Sequence, residues 1–465
     1  MDHQLEFASL SGDHNPLHVD PVASRRLLFG GPVVHGIHSV LWVLDRAMQE
    51  ESSECEITRV RAMFHKPLLV GDEVVATIER SSDSIQAELV SNGAVALTLK
   101  AETGNRRDQN SCSPKNEIPE RAVPTELDDE KIATTSGVMN LYLQDELARK
   151  LFPKLATLIP AQQLSTVSTC SRLVGGECPG MHSVFAELQL TFDREPEAPL
   201  LKYSVKRYNG AIGMVSMELE GPGCHGDIRA FRRPSPKQQP SISEIAKLVS
   251  KDEFANQRAL VIGGSRGMGE IAVKMLAAGG ADVSFTYNMG KEDAVRICND
   301  VESAGARVRR FQYNVLSESY QPDDPQDANY RASHIYYFAT PFVFGGNKGV
   351  FVNELFDKFC RFYVNGFVNA LEQFREPEQC AVLYPSTVAI DELPVNMGEY
   401  VAAKTAGEAL VSFLKKSDRT LSVHCPRLPR VATDQTVSLV PVKNGDPVEI
   451  LLKEIRALQA LDSSN

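Results

Sequence analysis

Asp13 and His18 stand five residues apart in the run S-L-S-G-D-H-N-P-L-H-V-D, with the turn-forming pair Asn15-Pro16 between them. A carboxylate and an imidazole so spaced can converge from one loop on a volume that holds a single water. The imidazole would take a proton as general base, and the carboxylate or its conjugate acid would handle the second proton. Gly36, in F-G-G-P-V-V-H-G, opens the next helix. A glycine N–H at that position, at the positive end of the helix dipole, can meet a ligand carbonyl as an oxyanion donor. Far along the chain stands a second set, Ser386 in L-Y-P-S-T-V with Tyr400 and Lys404 in G-E-Y-V-A-A-K. Residues four apart share a helix face, and an ammonium beside a phenol favours the phenolate. A third set is the turn G-G-S-R-G-M-G, where Gly263, Ser265, Arg266, Gly267, Met268 and Gly269 link a strand to a helix. Its backbone N–H groups can receive a diphosphate. Each set also has a plainer reading: Asp13 as a turn cap, His18 as packing, Tyr400 and Lys404 as a solvated face, Arg266 as an exposed turn residue.

The elements that must position these residues follow from periodicity. The opening reads as a polar loop, then a helix over 32–48 whose Ile37, Val40, Leu41, Leu44 and Met48 share one face, then strands at 57–64, 73–79, 84–90 and 94–101. The middle segment repeats this loosely: helical 137–158, then strand-like 164–173, 183–192, 200–207, 214–219 and 226–231. A divergent duplication is expected, each copy a helix wrapped by a curved antiparallel sheet. Polar stretches rich in Pro, Ser and Asn at 105–128 and 233–244 read as linkers. Beyond them strand 258–262, helix 269–278, strand 282–287, a helix to 304 and strand 307–315 alternate, as in a parallel sheet with helices on both faces. One more helix is expected at 447–461.

Composition narrows the function classes. The 465 residues allow two to four domains of ordinary size. Acidic residues outnumber basic ones by 60 to 49, a net charge of -11, so a nucleic-acid or anionic-membrane binder is not expected. The apolar stretches fall short of a membrane span, and the first residues lack a basic and an apolar targeting region, so a cytoplasmic protein is expected. The nine cysteines have no paired or zinc-like spacing, which suggests reduced thiols and no metal centre.

The ordered set Phe7, Leu10, Ser11, Gly12, Asp13, Asn15, Pro16, His18, His35 and Gly36 resembles the signature of the MaoC-like, R-specific enoyl-CoA hydratases of the hot-dog fold. Pro67, Gly71 and Asp72 extend the likeness. The resemblance implies hydration or dehydration of an acyl thioester carried on coenzyme A or acyl carrier protein. Asp13 and His18 would activate water, Asn15 would position them, and the Gly36 N–H would polarise the thioester. Arg25, Arg26 and Lys66 are candidates for an anionic carrier. Family members usually have a strand-forming stretch before the signature. Here either the middle segment supplies that edge strand or the first hot dog is shortened. The middle segment lacks D-x-N-P-x-H and is read as a non-catalytic partner. Its run with Gly175, Gly176, Glu177, Gly180 and His182 is read as a tight turn in preference to a ligand lining.

Residues 259–433 resemble the short-chain dehydrogenase/reductases. By that resemblance Tyr400 is the acid or base, Ser386 orients the substrate oxygen, Lys404 lowers the tyrosine pKa and holds the nicotinamide ribose, and Asn365 in F-Y-V-N-G-F completes a tetrad. Asn314 stands where an Asp often meets the adenine. NADP is favoured over NAD, because no acid follows the second strand (F-T-Y-N-M) and Arg266 is available for a 2′-phosphate. Departures are Ile262 for the usual Thr, F-A-T-P at 338–341 for N-N-A-G, and a polar run at 317–330 for a helix. The expected fold class is therefore an α+β double hot dog followed by an α/β Rossmann-type doubly wound parallel sheet. The expected domains are 1–105, 117–233 and 250–465, in a homo-oligomer. The expected activity is hydratase/dehydratase plus NADP(H)-dependent 3-oxoacyl/3-hydroxyacyl interconversion. Two rivals stand beside it: a hydratase with a degenerate nucleotide-binding or scaffolding reductase domain, and a non-enzymatic interaction protein.

Overall fold

The computed structural model describes residues 1–106, 112–194, 198–317, 320, 330–436, 442 and 444–462. Most of the polar run at 317–330 lies outside these residues. The described chain divides into two compact units, Met1–Ser235 and the part that begins at Pro236. Among the described residues no helix is long and apolar enough to cross a membrane.

The first unit is built on nine antiparallel strands: β1 (Cys55–Phe64), β2 (Val75–Arg80), β3 (Ser84–Ser91), β4 (Ala94–Asn105), β5 (Ser136–Asn140), β6 (Ser183–Phe192), β7 (Leu200–Asn209), β8 (Met214–Gly221) and β9 (Cys224–Arg232). Their order is β2-β3-β4-β1-β6-β9-β8-β7-β5. The two halves join where β1 pairs with β6, from Arg59 opposite Thr191 to Met63 opposite Glu187. Two helices, Gly36–Ala47 and Ala161–Arg172, pack on this sheet, and one apolar core runs from Ile37, Val40 and Leu44 to Leu164, Val167 and Leu188. Strand β5 pairs with β7 at the far edge. The middle segment therefore does not complete the first half, whose four strands end at β2.

Several local expectations are corrected. The opening is a helix, Asp2–Ser11, with Gln4, Phe7, Ala8 and Ser11 buried at helical spacing and Gly12 ending it in a left-handed conformation. The next long helix begins at Gly36, later than 32. In the middle segment helix and strand change places: β5 and two short helices, Asp145–Leu151 and Leu155–Leu158, occupy the predicted helix, and Ala161–Arg172 is helical where a strand was expected. Its Ser and Thr residues suggest a strand, yet the hydroxyls of Thr166 and Ser168 donate to carbonyls four residues back and so stay compatible with a helix.

In the second unit, β10 (Arg258–Ile262), β11 (Asp282–Tyr287), β12 (Val308–Gln312), β13 (His334–Tyr337), β14 (Cys380–Leu383) and β16 (Leu421–His424) form a parallel sheet, order β12-β11-β10-β13-β14-β16. A two-residue strand, β15 (Ser386–Thr387), pairs with β17 (Arg427–Leu428). Alternate strand residues go to opposite cores. Ala259 and Val261 pack with the helices Gly267–Ala278, Lys291–Ser303 and Pro447–Asp462, while Leu260 and Ile262 pack with Gly366–Phe374 and Gly398–Ser417. In sheets of this order ligands bind beyond the carboxyl ends of the strands where the order reverses, here between β10 and β13.

Candidate active sites

Two segments far apart in sequence hold the Asp13–His18 loop. Asn15 caps the short helix Pro16–Val19 through Leu17 N–H to Oδ1 (3.0 Å). Its Nδ2 donates to the carbonyls of Gly175 (2.9 Å), Gly180 (3.2 Å) and Met181 (3.3 Å) in the second half. Asp13, 2% exposed, accepts from Asn15 N–H at Oδ1 (3.2 Å) and from the Ser171 hydroxyl at Oδ2 (2.7 Å). A hydrogen bond to a charged group contributes about 1.5–3 kcal/mol, while a buried carboxylate left unpaired costs more than that. Ser171 and Asn15 are therefore what allow the carboxylate to stay inside. Gly175 leaves the space the carboxylate occupies, since a Cβ there would lie 2.2 Å from Asp13 Oδ1 and 2.6 Å from Cγ. The Gly175–Gly180 run is thus a clamp on the Asp13–His18 loop and not merely a turn between strands. Residues expected to be linker join it: Thr125 N–H donates to Gly176 O (2.8 Å) and Met181 N–H to Thr125 O (2.8 Å).

His18 Nδ1 lies 2.7 Å from Val33 O, and a carbonyl can only accept, so Nδ1 carries the proton and Nε2 offers a lone pair. Burial pushes the His18 pKa below the ordinary histidine value, against the pull of Asp13. His35 stacks on His18, ring centroids 3.9 Å apart; Nε2 is 3.0 Å from Asp13 O and Nδ1 2.9 Å from Gln4 Oε1, and the one proton of a neutral ring serves only one of these two acceptors. Burial, then the neighbouring His18, hold His35 well below the ordinary value. Gln4, on the opening helix, also accepts the His35 N–H (3.0 Å) and fixes where the Gly36 helix starts. The sequence reading missed Gln4 and Ser171, and read Gly175 only as part of a tight turn. Only Gln4 had a visible signal, in its helical spacing to Phe7 and Ser11. A carboxylate oxygen of Asp13 and ring nitrogens of His18 and His35 lie within 4.8 Å of one another. The bonds already made by His18 Nδ1, His35 Nε2 and both Asp13 oxygens suit this set to a shared water better than to a metal.

No protein carbonyl among the described residues takes the Gly36 N–H, and the Phe64 ring fills the side-chain space, 2.7 Å from where a Cβ would stand. This donor at a helix start fits an oxyanion. A base that must be neutral, with a pKa below about 6.5, gives a hydration rate flat above that pH and falling on the acid side below it. Initial rates across pH 4.5 to about 8 check this, and a fall beginning above about 7 would contradict it.

In the second unit the glycine turn fits a diphosphate. Gly263 has φ 77°, and a Cβ on Gly269 would stand 2.2 Å from Gly263 O. The N–H groups of Gly267, Met268 and Gly269, at the start of Gly267–Ala278, meet no protein carbonyl among the described residues, and Ser265 is buried in the same turn. Other expected roles change. Arg266 Nη1 is 3.1 Å from Asp434 Oδ2, so the cation assigned to a 2′-phosphate already has a carboxylate partner. Asn314 Oδ1 accepts Leu316 N–H (3.0 Å) and shapes its own turn. Asn365 is exposed at the end of the π-helical turn Arg361–Asn365, with no hydrogen bond to Tyr400 or Lys404 among the described residues.

Ser386 donates to Glu408 Oε1 (2.5 Å), whose carboxylate also pairs with Arg427. Among the described residues no hydrogen bond joins Ser386 to Tyr400; the Thr387 hydroxyl, on the next strand residue, is the one that pulls the Tyr400 pKa down, against burial. Burial pushes Tyr400 up to about 12, so the site holds a phenol and not the expected phenolate. Lys404, lowered by burial to about 7, donates to Pro385 O (2.7 Å) and lies 4.0 Å from the centre of the Tyr363 ring. At that value the ammonium is charged in only part of the molecules at neutral pH, and burial outweighs whatever it offers the Tyr400 hydroxyl.

The first unit thus brings a buried carboxylate, Asp13, and two imidazoles, His18 and His35, together on a helix-and-sheet frame, next to a helix that starts at Gly36. Residues 2–103 match the model of the MaoC like domain, and the chain carries that domain. The chain is 36% identical over 74 residues to the (R)-specific enoyl-CoA hydratase of Aeromonas caviae, 16% of this chain and 55% of that protein. It is 38% identical over 69 residues to the probable dehydratase NIT22 of Ajellomyces capsulatus, 14% of this chain and 18% of that protein. The matches therefore span about half and about a fifth of these relatives' own lengths. Among solved structures, a putative short chain dehydrogenase from Shigella flexneri complexed with NADP gives a TM-score of 0.40 at 17% identity, covering 45% of this chain and 93% of that one. A short chain dehydrogenase from Burkholderia cenocepacia in complex with NADP gives 0.36 at 21%, covering 44% and 91%.

Proposed function

We propose that the Met1–Ser235 unit adds water to a 2-enoyl thioester, and removes it in reverse, at the Asp13–His18 pair. The carrying observation is the pair itself: a buried carboxylate and an imidazole with Nδ1 spent on Val33 O, an oxygen of the one within 4.8 Å of a ring nitrogen of the other, near enough to bridge through one water. Asp13 holds one O–H of that water and His18 Nε2 takes the other proton as the oxygen bonds to C3. The C2–C3 electron pair moves toward the thioester oxygen, which accepts from Gly36 N–H. The proton on His18 then passes to C2, so the product gains one water and both residues return to their starting states. The (R) configuration follows the likeness to the Aeromonas caviae relative, and coenzyme A or acyl carrier protein would carry the acyl group. In this reading the nine strands are two hot-dog halves, 1–105 and 117–233, and the rest, from 250, is a Rossmann-type reductase domain.

For that domain we propose interconversion of 3-oxoacyl and 3-hydroxyacyl thioesters with NADP(H), which supplies or accepts the hydride when bound. The N–H groups of Gly267, Met268 and Gly269 would hold its diphosphate, and the absence of a carboxylate after β11 favours the 2′-phosphate form. Tyr400, kept as a phenol, suits protonation of a carbonyl oxygen being reduced, with Thr387 orienting that oxygen. Replacing Tyr400 by Phe is expected to lower NADPH oxidation by acetoacetyl-CoA at least about 10²-fold and to leave crotonyl-CoA hydration unchanged. NADPH absorbance and enoyl-thioester absorbance read the two. The commitments of Arg266 to Asp434 and Ser386 to Glu408 favour a second reading, a domain that binds nucleotide without reducing anything. In that case NADPH binds and acetoacetyl-CoA does not oxidise it.

A further inference from the structure

Arg233 follows β9 in a stretch whose composition reads as linker, yet it is 1% exposed. Its Nη2 donates to Met181 O (2.7 Å), its Nη1 lies 3.3 Å from His182 Nδ1, and its backbone N–H donates to His182 O (2.7 Å). Ser235 Oγ holds the other His182 ring nitrogen at 3.1 Å. Arg233 Nε has no partner, and among the described residues no carboxylate pairs with this guanidinium. Burial lowers its pKa to about 10, which still leaves it charged at neutral pH. A buried cation without a counter-charge is costly to hold. What it touches gives it a purpose. The Met181 carbonyl that takes Nη2 also takes Asn15 Nδ2 (3.3 Å), so one oxygen ties the guanidinium to the loop between Asp13 and His18.

We propose that Arg233, contributed by the half of the sheet without a D-x-N-P-x-H loop, is a positioning residue for the Asp13–His18 pair. It fixes the Met181 carbonyl that anchors Asn15 and so sets a positive charge one shared carbonyl away from the loop that carries His18. The groups that act on His18 are the Asp13 carboxylate on its own loop, the His35 ring stacked on it, the Val33 carbonyl and, joined to the same loop through Met181 O and Asn15, the Arg233 guanidinium. Asp13 favours a charged imidazole, while Arg233 opposes one and keeps Nε2 able to accept a proton. Without Arg233 the loop would carry Asp13 alone as its electrostatic neighbour, and His18 would protonate at higher pH.

The inference builds on the hydratase reading, but its test does not require turnover. The His18 ring is titrated by NMR in the full chain, assigned by its loss in H18Q. In R233Q its midpoint is expected to rise by about half a pH unit or more, and in R233K to stay at the wild-type value. If R233Q does not fold, R233K with a wild-type midpoint alongside an R233H midpoint that rises supports the proposal. Superimposable His18 titrations for wild type and the folded charge-removing variant overturn it. Where crotonyl-CoA is hydrated, the acid limb of the rate should move with the NMR midpoint. A wild-type chain that hydrates nothing while the midpoint still moves contradicts the hydratase reading and leaves the electrostatic role of Arg233 supported.

Discussion

Replacing Asp13 by Asn is expected to lower kcat for crotonyl-CoA hydration about 10²–10⁴-fold, the range spanned by a general acid or base, with little change in KM or melting temperature. The amide keeps the side chain's volume, and with its oxygen on the Asn15 N–H its NH2 can donate to the Ser171 hydroxyl oxygen, so the buried site remains satisfied. What it loses is the carboxylate that holds the second O–H of the water while His18 Nε2 takes the first proton. The loss therefore falls on the chemical step and not on thioester binding. Initial rates, together with a thermal melt, check this. A D13N variant that keeps more than about a tenth of wild-type kcat would contradict the role given to Asp13.

Gly175→Ala is expected to lower kcat about 10²-fold although position 175 touches no substrate. The added methyl would stand 2.2 Å from Asp13 Oδ1 and 2.6 Å from Oδ2, closer than any real contact. Asp13 is enclosed, so the carboxylate must swing off the Ser171 hydroxyl or the 173–177 turn must move, and that turn holds Asn15 through the Gly175 carbonyl. Either adjustment displaces a reacting group by about 1 Å, enough for such a loss. Steady-state kinetics on a folded variant decide the point. Activity within about twofold of wild type would show that the second half does not set the geometry of the first.

These two positions mark where the sequence was readable and where it was not. The D-x-N-P-x-H loop is local. Asn15-Pro16 starts a short helix, its geometry sets Asp13 against His18, and all three residues can be read from their spacing. Ser171 and Gly175 lie about 160 residues away in a stretch whose Ser and Thr residues mimic a strand, so nothing local connects them to Asp13. The repeat of long helix and meander was legible as a pattern, but its helix was placed one element too early. Leu164, Val167 and Leu173 carry the helical face, with hydroxyls between them that bond to their own helix.

In the second unit the alternation of strand and helix is strong because buried parallel strands are continuous apolar runs, as in A-L-V-I and C-A-V-L. The side-chain roles there depended on one-residue choices. Of two adjacent hydroxyls in the short strand β15, Ser386 bonds to Glu408 and Thr387 is the one that acts on Tyr400. Arg266 was correctly placed in the glycine turn, but its partner Asp434 is brought by a segment 168 residues later. Electrostatic roles inferred for single charged residues are the least legible layer, since they depend on which counter-charge the fold delivers.

The central claim is that the Asp13–His18 pair adds water across an enoyl thioester. It is tested most directly by incubating the full chain with crotonyl-CoA, without nucleotide, and resolving the product by chiral chromatography with mass detection. The predicted result is (R)-3-hydroxybutyryl-CoA, formed by wild type and by Y400F and lost in D13N. Unchanged crotonyl-CoA with the folded wild-type chain, or a hydration rate that D13N leaves intact, would contradict it.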